Sequence, residues 1–262
     1  MYVTLATALT AGGVIGSLCV IPFLQELSKY ESNPPHRKPI NIASWKVFGK
    51  TIINSILIFF LLVCGGLFVN AKMGRQVSLL IRVGTAGDVR PLLIVALESA
   101  GAGLLAGFVV AVLDSIVFWP YLPSNMKFDD RISLWKRLLA GLFYGGISEE
   151  ILMRLFILSG LVWLSALAFS VNTPNVDSKL FWTCNLFTAA LFGALHLPAT
   201  ARLTPLTPFL IIRSLLLNGI AGIVFGYLFW AVGIEAAIIG HASANVVLQS
   251  MPTLSGHNSI YS

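Results

Sequence analysis

The chain has 262 residues, of which 11% are charged and 56% are hydrophobic. An ordinary soluble domain is about 25% charged, so this chain has too few charges to cover a water-exposed surface. The composition excludes a soluble globular enzyme, a disordered chain and a disulfide-rich secreted module, and it predicts an all-α, multi-pass integral membrane protein. The net charge of +6 does not indicate nucleic-acid binding, because the basic residues lie in short stretches between apolar runs, as in membrane proteins.

The N-terminal half contains three apolar runs of the length that a membrane-spanning helix needs, which is about 20 residues. These runs cover residues 3–24, 51–71 and 92–119, and polar or basic loops are expected between them at 26–50 and 72–90. Residues 1–130 are therefore predicted to form a region of transmembrane helices and basic loops.

The next apolar run, residues 133–169, is too long for one helix that crosses the membrane directly. Such a helix would measure about 56 Å, against a hydrocarbon core of ~30 Å. We expect a break at Gly145-Gly146-Ile147-Ser148, because glycine weakens a helix and serine can cap the next one. One long, tilted helix is the alternative. Further runs follow at 180–197, 208–232 and 235–249, which brings the expected number of transmembrane helices to about eight.

Ionisable side chains inside these apolar runs are costly in a bilayer and are therefore functional candidates. The acidic and basic members are Glu98, Asp114, Glu149, Glu150, Arg154, Arg213 and, near a helix end, Glu235. His196 and His241 add two imidazoles. For Glu98, Asp114 and Arg213, pairing between helices, such as an Asp114–Arg213 bridge, is a simpler explanation than catalysis.

The densest of these clusters is Ser148-Glu149-Glu150-Ile-Leu-Met-Arg154. Glu150 and Arg154 are four residues apart, so they share one face of a helix and are expected to pair. Glu149 is rotated by about 100° from Glu150 and is not neutralised by that pair. The two adjacent carboxylates are therefore expected to have different functions.

Two further motifs carry histidine. His196 ends the sequence Phe192-Gly-Ala-Leu-His196, and His241 shares a helical face with Asn245 in His241-Ala-Ser-Ala-Asn245. Each histidine taken alone is more often a core residue than a catalyst. Taken together, the two acids, two histidines, arginine and asparagine fit attack by an activated water on an amide, with donors for the resulting oxyanion.

No His-Glu-x-x-His or Gly-x-Ser-x-Gly sequence is present, which argues against a zincin or a serine hydrolase of that type.

The order of the three motifs resembles the CPBP family of intramembrane proteases, which includes CAAX prenyl endopeptidases and bacterial bacteriocin-immunity (Abi) proteins. The motifs are Glu149-Glu150-x-x-x-Arg154, Phe192-x-x-x-His196 and His241-x-x-x-Asn245. The resemblance implies about eight helices with an active site that opens within the bilayer. It also implies a catalytic core at 131–249. The polar composition of 250–262 predicts a tail after this core.

The resemblance further implies a role for each motif residue. Glu149 and His196 would activate the water, and His241 and Asn245 would stabilise the oxyanion. Glu150 and Arg154, with Phe192, would organise the site or hold the peptide. Glu149, His196 and His241 could also form a three-ligand metal site, with Zn²⁺ as the first candidate. A metal-free glutamate–histidine mechanism is the alternative, and the spacing fits both.

The expected function is therefore an intramembrane endopeptidase, with CAAX-type C-terminal processing as one form of it. Its partners would be the lipid bilayer and a peptide or protein substrate that reaches the site through the membrane, and no nucleic acid is expected. Two alternatives stay open at this point. One is a non-catalytic immunity factor or scaffold with the same fold, and the other is a transporter that uses Glu98, Asp114 and Arg213 as an ion path.

Overall fold

The computed structural model describes residues 2–30, 45–81, 90–127, 132–171 and 176–251, and within these ranges the chain is helical, without β-strands. The helices are α1 (Tyr2–Cys19), α2 (Ile21–Leu27), α3 (Trp45–Lys72), α4 (Arg90–Leu113), α5 (Leu134–Ala168), α6 (Ser178–Leu195), α7 (Leu197–Leu203), α8 (Pro208–Ala231) and α9 (Ile234–Ser250). Large parts of the two predicted loops, 31–44 and 82–89, lie outside the described residues, as does 252–262 of the predicted tail.

Six helical segments in the described ranges are long and apolar enough to cross a membrane. They are Tyr2–Leu27, Gly49–Lys72, Arg90–Tyr121, Leu134–Ala168, Ser178–Leu203 and Pro208–Ala231. Many of their Leu, Ile and Phe side chains are exposed on the outside of the bundle, where lipid would cover them. The chain is therefore an all-α, multi-pass integral membrane protein, as its composition predicts.

The predicted break at 145–148 is wrong, and this is one reason why six segments are found instead of about eight. Helix α5 runs without interruption and is π-helical over Ala140–Glu149 and Ile151–Leu158, a conformation that is frequent at functional sites. Gly146 does not turn the chain. It lets α9 approach, because a Cβ at this position would lie 3.1 Å from the Cβ of Ala242. The second reason is α9 itself, which has only 17 residues.

One apolar core joins the N-terminal and C-terminal helices. Val63 of α3, Leu155 of α5, Phe181 of α6 and Ala237 of α9 are all buried in it. The helices before residue 130 therefore pack directly against the helices that carry the candidate site.

Small residues set the distance between α4 and α9, the helix that carries His241. A Cβ on Gly103 would overlap the carbonyl oxygen of Gly240, and a Cβ on Gly107 would lie 2.6 Å from the carbonyl oxygen of Ala244. Residues with little or no side chain permit such backbone contact between membrane helices. This contact fixes the depth at which α9 sits in the bundle.

We predict that Gly103→Ala destabilises the protein, because the added methyl group must push α4 away from α9. Overpacking of this kind costs about 1–3 kcal/mol, so the unfolding temperature in detergent should fall. Gly101→Ala is the matched control, because a Cβ at Gly101 would meet nothing within 4 Å. Equal unfolding temperatures for the two variants would show that α4 and α9 are not in contact.

Candidate active site

The side chain of Glu150 is completely buried and is held from two helices. Arg154, on the same face of α5, places Nη1 2.9 Å from Glu150 Oε1, and Nδ1 of His241 on α9 lies 2.6 Å from the same oxygen. Because an ionised carboxylate only accepts hydrogen bonds, Nδ1 of His241 carries a hydrogen and donates it. The predicted Glu150–Arg154 pair is confirmed, and His241 is an additional partner.

The guanidinium of Arg154 extends this cluster to two more helices. Its Nη2 donates a hydrogen bond of 3.1 Å to the carbonyl oxygen of Gly222 on α8. Its central carbon lies 4.9 Å from the ring centroid of Phe192 on α6 and 5.4 Å from that of Phe225 on α8. Aromatic faces attract cations, so these rings help to compensate for the buried charge. Arg154 therefore connects α5 with α6 and α8.

A second buried network supports α5 from the N-terminal side and was missed by the sequence reasoning. Ser159 Oγ donates to the carbonyl oxygen of Arg154 (3.1 Å), and Nδ2 of Asn70 on α3 donates to Ser159 Oγ (2.8 Å) and to the Gly66 carbonyl (2.8 Å). Both polar side chains are buried. The only signal in the sequence is an uncharged asparagine near the end of an apolar run, which does not stand out beside the ionisable residues.

Glu149 occupies a different environment from Glu150. Its side chain is 19% exposed, and its Oε2 lies 3.9 Å from Nε2 of His241. This distance is too long for a direct hydrogen bond but suits one bridging water. Glu150 is enclosed by its partners, whereas Glu149 lies at the edge of the cluster, and the different functions expected for the two carboxylates stay a prediction.

Asn245 lies one helical turn after His241, and both side chains face Gly145 of α5. Its Nδ2 donates to the carbonyl oxygen of Gly141 at 2.8 Å, which leaves the second amide hydrogen for another acceptor. A Cβ on Gly145 would lie 2.6 Å from Asn245 Nδ2 and 3.3 Å from His241 Nε2. The two polar atoms therefore converge beside a glycine, as expected for residues that share a helical face.

His196 lies next to Phe192, one helical turn further along, at the end of α6. Its Nδ1 is 2.8 Å from the carbonyl oxygen of Phe192, which can only accept, so Nδ1 carries a hydrogen and Nε2 of the neutral ring has a lone pair. The ring of Phe192 contacts both histidines edge-on, with centroid distances of 4.8 Å to His196 and 5.9 Å to His241. In the described ranges, no hydrogen bond or ion pair joins His196 to Glu149.

The described residues do not form a three-ligand metal site. No three His, Cys, Asp or Glu side chains among them are grouped closely enough to hold a metal ion. Glu149 Oε2 lies 3.9 Å from Nε2 of His241, whereas the ring of His196 contacts Phe192 and makes no hydrogen bond or ion pair with Glu149 in the described ranges. The set of Glu149, His196 and His241 therefore does not form the tetrahedral arrangement of a zinc centre.

The other charged residues of the apolar runs lie away from this cluster. Nε and Nη2 of Arg213 donate to Oδ1 and Oδ2 of Asp114 at 2.7 and 2.6 Å, which confirms the predicted bridge between helices. Glu235 accepts hydrogen bonds from the hydroxyl of Ser78 and from the backbone amide of Leu79. Glu98 is exposed on the outside of α4. The Asp114–Arg213 and Glu235 contacts are structural.

We predict that Arg154→Met strongly destabilises the protein, because it leaves Glu150 buried without its cation. Removing one partner of a buried ion pair costs about 3–5 kcal/mol, which should appear as a large fall in unfolding temperature in detergent. Arg202→Met, which changes an exposed arginine on α7, is the control and should unfold close to the wild-type temperature. Similar unfolding of both variants would mean that the ion pair contributes nothing to stability.

These features define a class: a polytopic membrane protein with a buried Glu–Arg–His cluster and a second, partly exposed glutamate at its edge. Residues 131–247 match the family model described as Type II CAAX prenyl endopeptidase Rce1-like. All three motifs lie in the matched range, and the match confirms the family resemblance that they indicated. No curated protein and no solved structure gave a match.

Proposed function

We propose that the chain is an intramembrane endopeptidase that uses an activated water to hydrolyse a peptide bond near the membrane, as in CAAX-type C-terminal processing. The main supporting observation is the position of Glu149. Its partly exposed carboxylate faces Nε2 of His241 across 3.9 Å, at the edge of a cluster whose other members are buried. The family match over residues 131–247 supports the same class of reaction.

Glu149 is the proposed general base. A water bound between Glu149 Oε2 and His241 Nε2 has a proton acceptor within hydrogen-bonding reach, as general base catalysis requires. The water oxygen attacks the carbonyl carbon of the scissile bond while Glu149 takes the proton. Glu149 then returns the proton to the departing amine nitrogen. Glu150 is a poor candidate for this role, because it is completely buried and bonded to Arg154 and His241.

Asn245 is the proposed donor to the oxyanion that forms on the carbonyl. One hydrogen of its amide bonds the Gly141 carbonyl, and the other is available toward the space beside Gly145. His241 in its neutral form, with Nδ1–H bonded to Glu150, has a lone pair on Nε2 and orients the attacking water. His241 donates to the oxyanion only when Nε2 is also protonated, whereas Asn245 needs no such change.

His196, which packs against Phe192, is proposed to contribute a further proton acceptor. The lone pair on its Nε2 can accept a hydrogen from water or from the substrate, and the orientation of the ring is fixed by the bond to the Phe192 carbonyl. The ring of Phe192 contacts both imidazoles and the guanidinium of Arg154. We therefore assign Phe192 to positioning, together with Glu150 and Arg154.

We predict that Glu149→Gln lowers the rate of cleavage of a prenylated C-terminal peptide in membranes by about 10²–10⁴-fold, the usual contribution of a general base. Glu98→Gln is the matched control, because Glu98 is exposed on the outside of α4, and this variant should cleave at the wild-type rate. Equal cleavage by Glu149→Gln and wild type would rule out the proposed mechanism.

A second prediction tests the oxyanion donor without changing a polar residue. In Gly145→Ala the new Cβ would lie 2.6 Å from Asn245 Nδ2, so the amide must rotate away while the backbone stays in place. Cleavage should fall by about 10²–10³-fold, as for loss of one oxyanion donor, with little change in unfolding temperature. Gly160→Ala on the same helix should cleave normally, because a Cβ there would meet nothing within 4 Å. Normal cleavage by Gly145→Ala would remove Asn245 from the mechanism.

The two alternatives from the sequence make different predictions. A non-catalytic immunity factor or scaffold would keep its biological activity in Glu149→Ala, His196→Ala and His241→Ala. A transporter would show flux in proteoliposomes that is abolished by Asp114→Asn. The bidentate Asp114–Arg213 pair argues against an ion path, because each charge is already compensated by the other.

A further inference from the structure

Residues five apart share a face on the first half of helix α5, because Ala140–Glu149 is π-helical and bonds each amide to the carbonyl five residues earlier. The contacts with α9 follow this period. A Cβ on Gly141 would lie 3.0 Å from the Cβ of Asn245, and a Cβ on Gly146 would lie 3.1 Å from that of Ala242. Both glycines therefore face α9.

The contacts with α1 follow the same period on another face of α5. Ser148 Oγ donates a hydrogen bond of 3.1 Å to the carbonyl oxygen of Gly13. A Cβ on Gly16 would lie 2.6 Å from the carbonyl oxygen of Phe143, five residues before Ser148. In a regular α-helix, residues five apart would be rotated by about 140° from each other, so these pairs depend on the π-helical conformation.

The same period pairs Tyr144 with Glu149. Tyr144 is 36% exposed, and the side chain of Glu149 is also partly exposed. The charge of Glu149 acts on the phenol of Tyr144, so the two groups lie near each other. In the described part of the chain, neither the phenol hydroxyl nor the Glu149 carboxylate makes a hydrogen bond. A donor and an acceptor, both available, therefore share one face of α5.

The two groups are chemically complementary. A phenol is neutral at pH 7 and donates one hydrogen, whereas an ionised carboxylate accepts hydrogen bonds through both oxygens. Oε2 of Glu149 faces Nε2 of His241, so Oε1 is the oxygen left for a donor. Hydrogen bonds to charged groups are among the stronger ones, and a carboxylate with one oxygen fixed presents the other in a defined direction.

We propose that Tyr144 positions Glu149. Its hydroxyl donates a hydrogen bond to Glu149 Oε1, directly or through one water, and so holds Oε2 toward Nε2 of His241, where the attacking water binds. Tyr144 itself neither takes a proton nor contacts the scissile bond. This inference rests on the proposed peptidase function and adds to it a positioning residue that lies outside the three sequence motifs.

The first test is kinetic. Tyr144→Phe keeps the ring and removes only the hydroxyl. We expect kcat for a prenylated C-terminal peptide to fall by about 10–100-fold, the equivalent of one hydrogen bond to a charged group, while KM changes by less than about twofold. Tyr121→Phe, which changes an exposed tyrosine beyond the end of α4, is the matched control and should keep both constants. A raised KM with unchanged kcat would overturn the positioning role, because the hydroxyl would then contact the substrate.

The second test needs no turnover. Protein that contains 3-fluorotyrosine gives one fluorine NMR signal for each of its six tyrosines, and Tyr144→Phe identifies the signal of residue 144 by its absence. Glu149→Gln should move this signal, whereas Glu98→Gln, which changes an exposed glutamate on α4, should leave it in place. A signal that stays in place in Glu149→Gln would overturn the proposed contact, whatever the kinetic constants are.

The positioning role and the peptidase function fail in different ways. Absence of cleavage by the wild type would overturn the peptidase function, and the fluorine signal would still decide whether Tyr144 contacts Glu149. Cleavage by the wild type that Tyr144→Phe leaves unchanged would overturn the positioning role alone.

Discussion

The candidate site is built around the carboxylate of Glu150, which is completely buried in a protein that is itself surrounded by lipid. A charge in such surroundings is tolerated only when other groups of the protein compensate for it. Arg154 does so from the same helix and His241 from α9, and Arg154 in turn bonds the backbone of α8. The same contacts that satisfy one charge therefore also orient the imidazole that faces Glu149.

Close backbone contact is the second requirement of the site. Gly103 lets α4 touch α9 at Gly240, the residue before His241, and Gly145 leaves room for the amide of Asn245. Larger side chains at either position would displace the groups that are proposed to act on the substrate. Glycine has two functions in this bundle: it permits tight helix packing, and it shapes the space in which the polar atoms of α9 converge.

The N-terminal helices contribute to the site although they lie outside the matched residues 131–247. Asn70 of α3 supports the backbone of Arg154 through Ser159, and Asp114 holds Arg213 at the wall of a cavity beside His196. Ser148, next to Glu149, donates a hydrogen bond to the carbonyl oxygen of Gly13 on α1. The helices before residue 130 are thus part of the architecture that positions α5.

The amino-acid sequence was sufficient for the class of protein and for the pairs of side chains that lie four residues apart on one helix. Sparse charge indicated the bilayer, and four-residue spacing placed Glu150 with Arg154 and His241 with Asn245, because helix geometry is local. Relations between helices could not be read in this way. The bond from His241 to Glu150, the continuation of α5 through its glycines, the support by Asn70 and the cavity beside His196 all depend on how distant segments pack, and hydrophobic periodicity does not specify which helices meet.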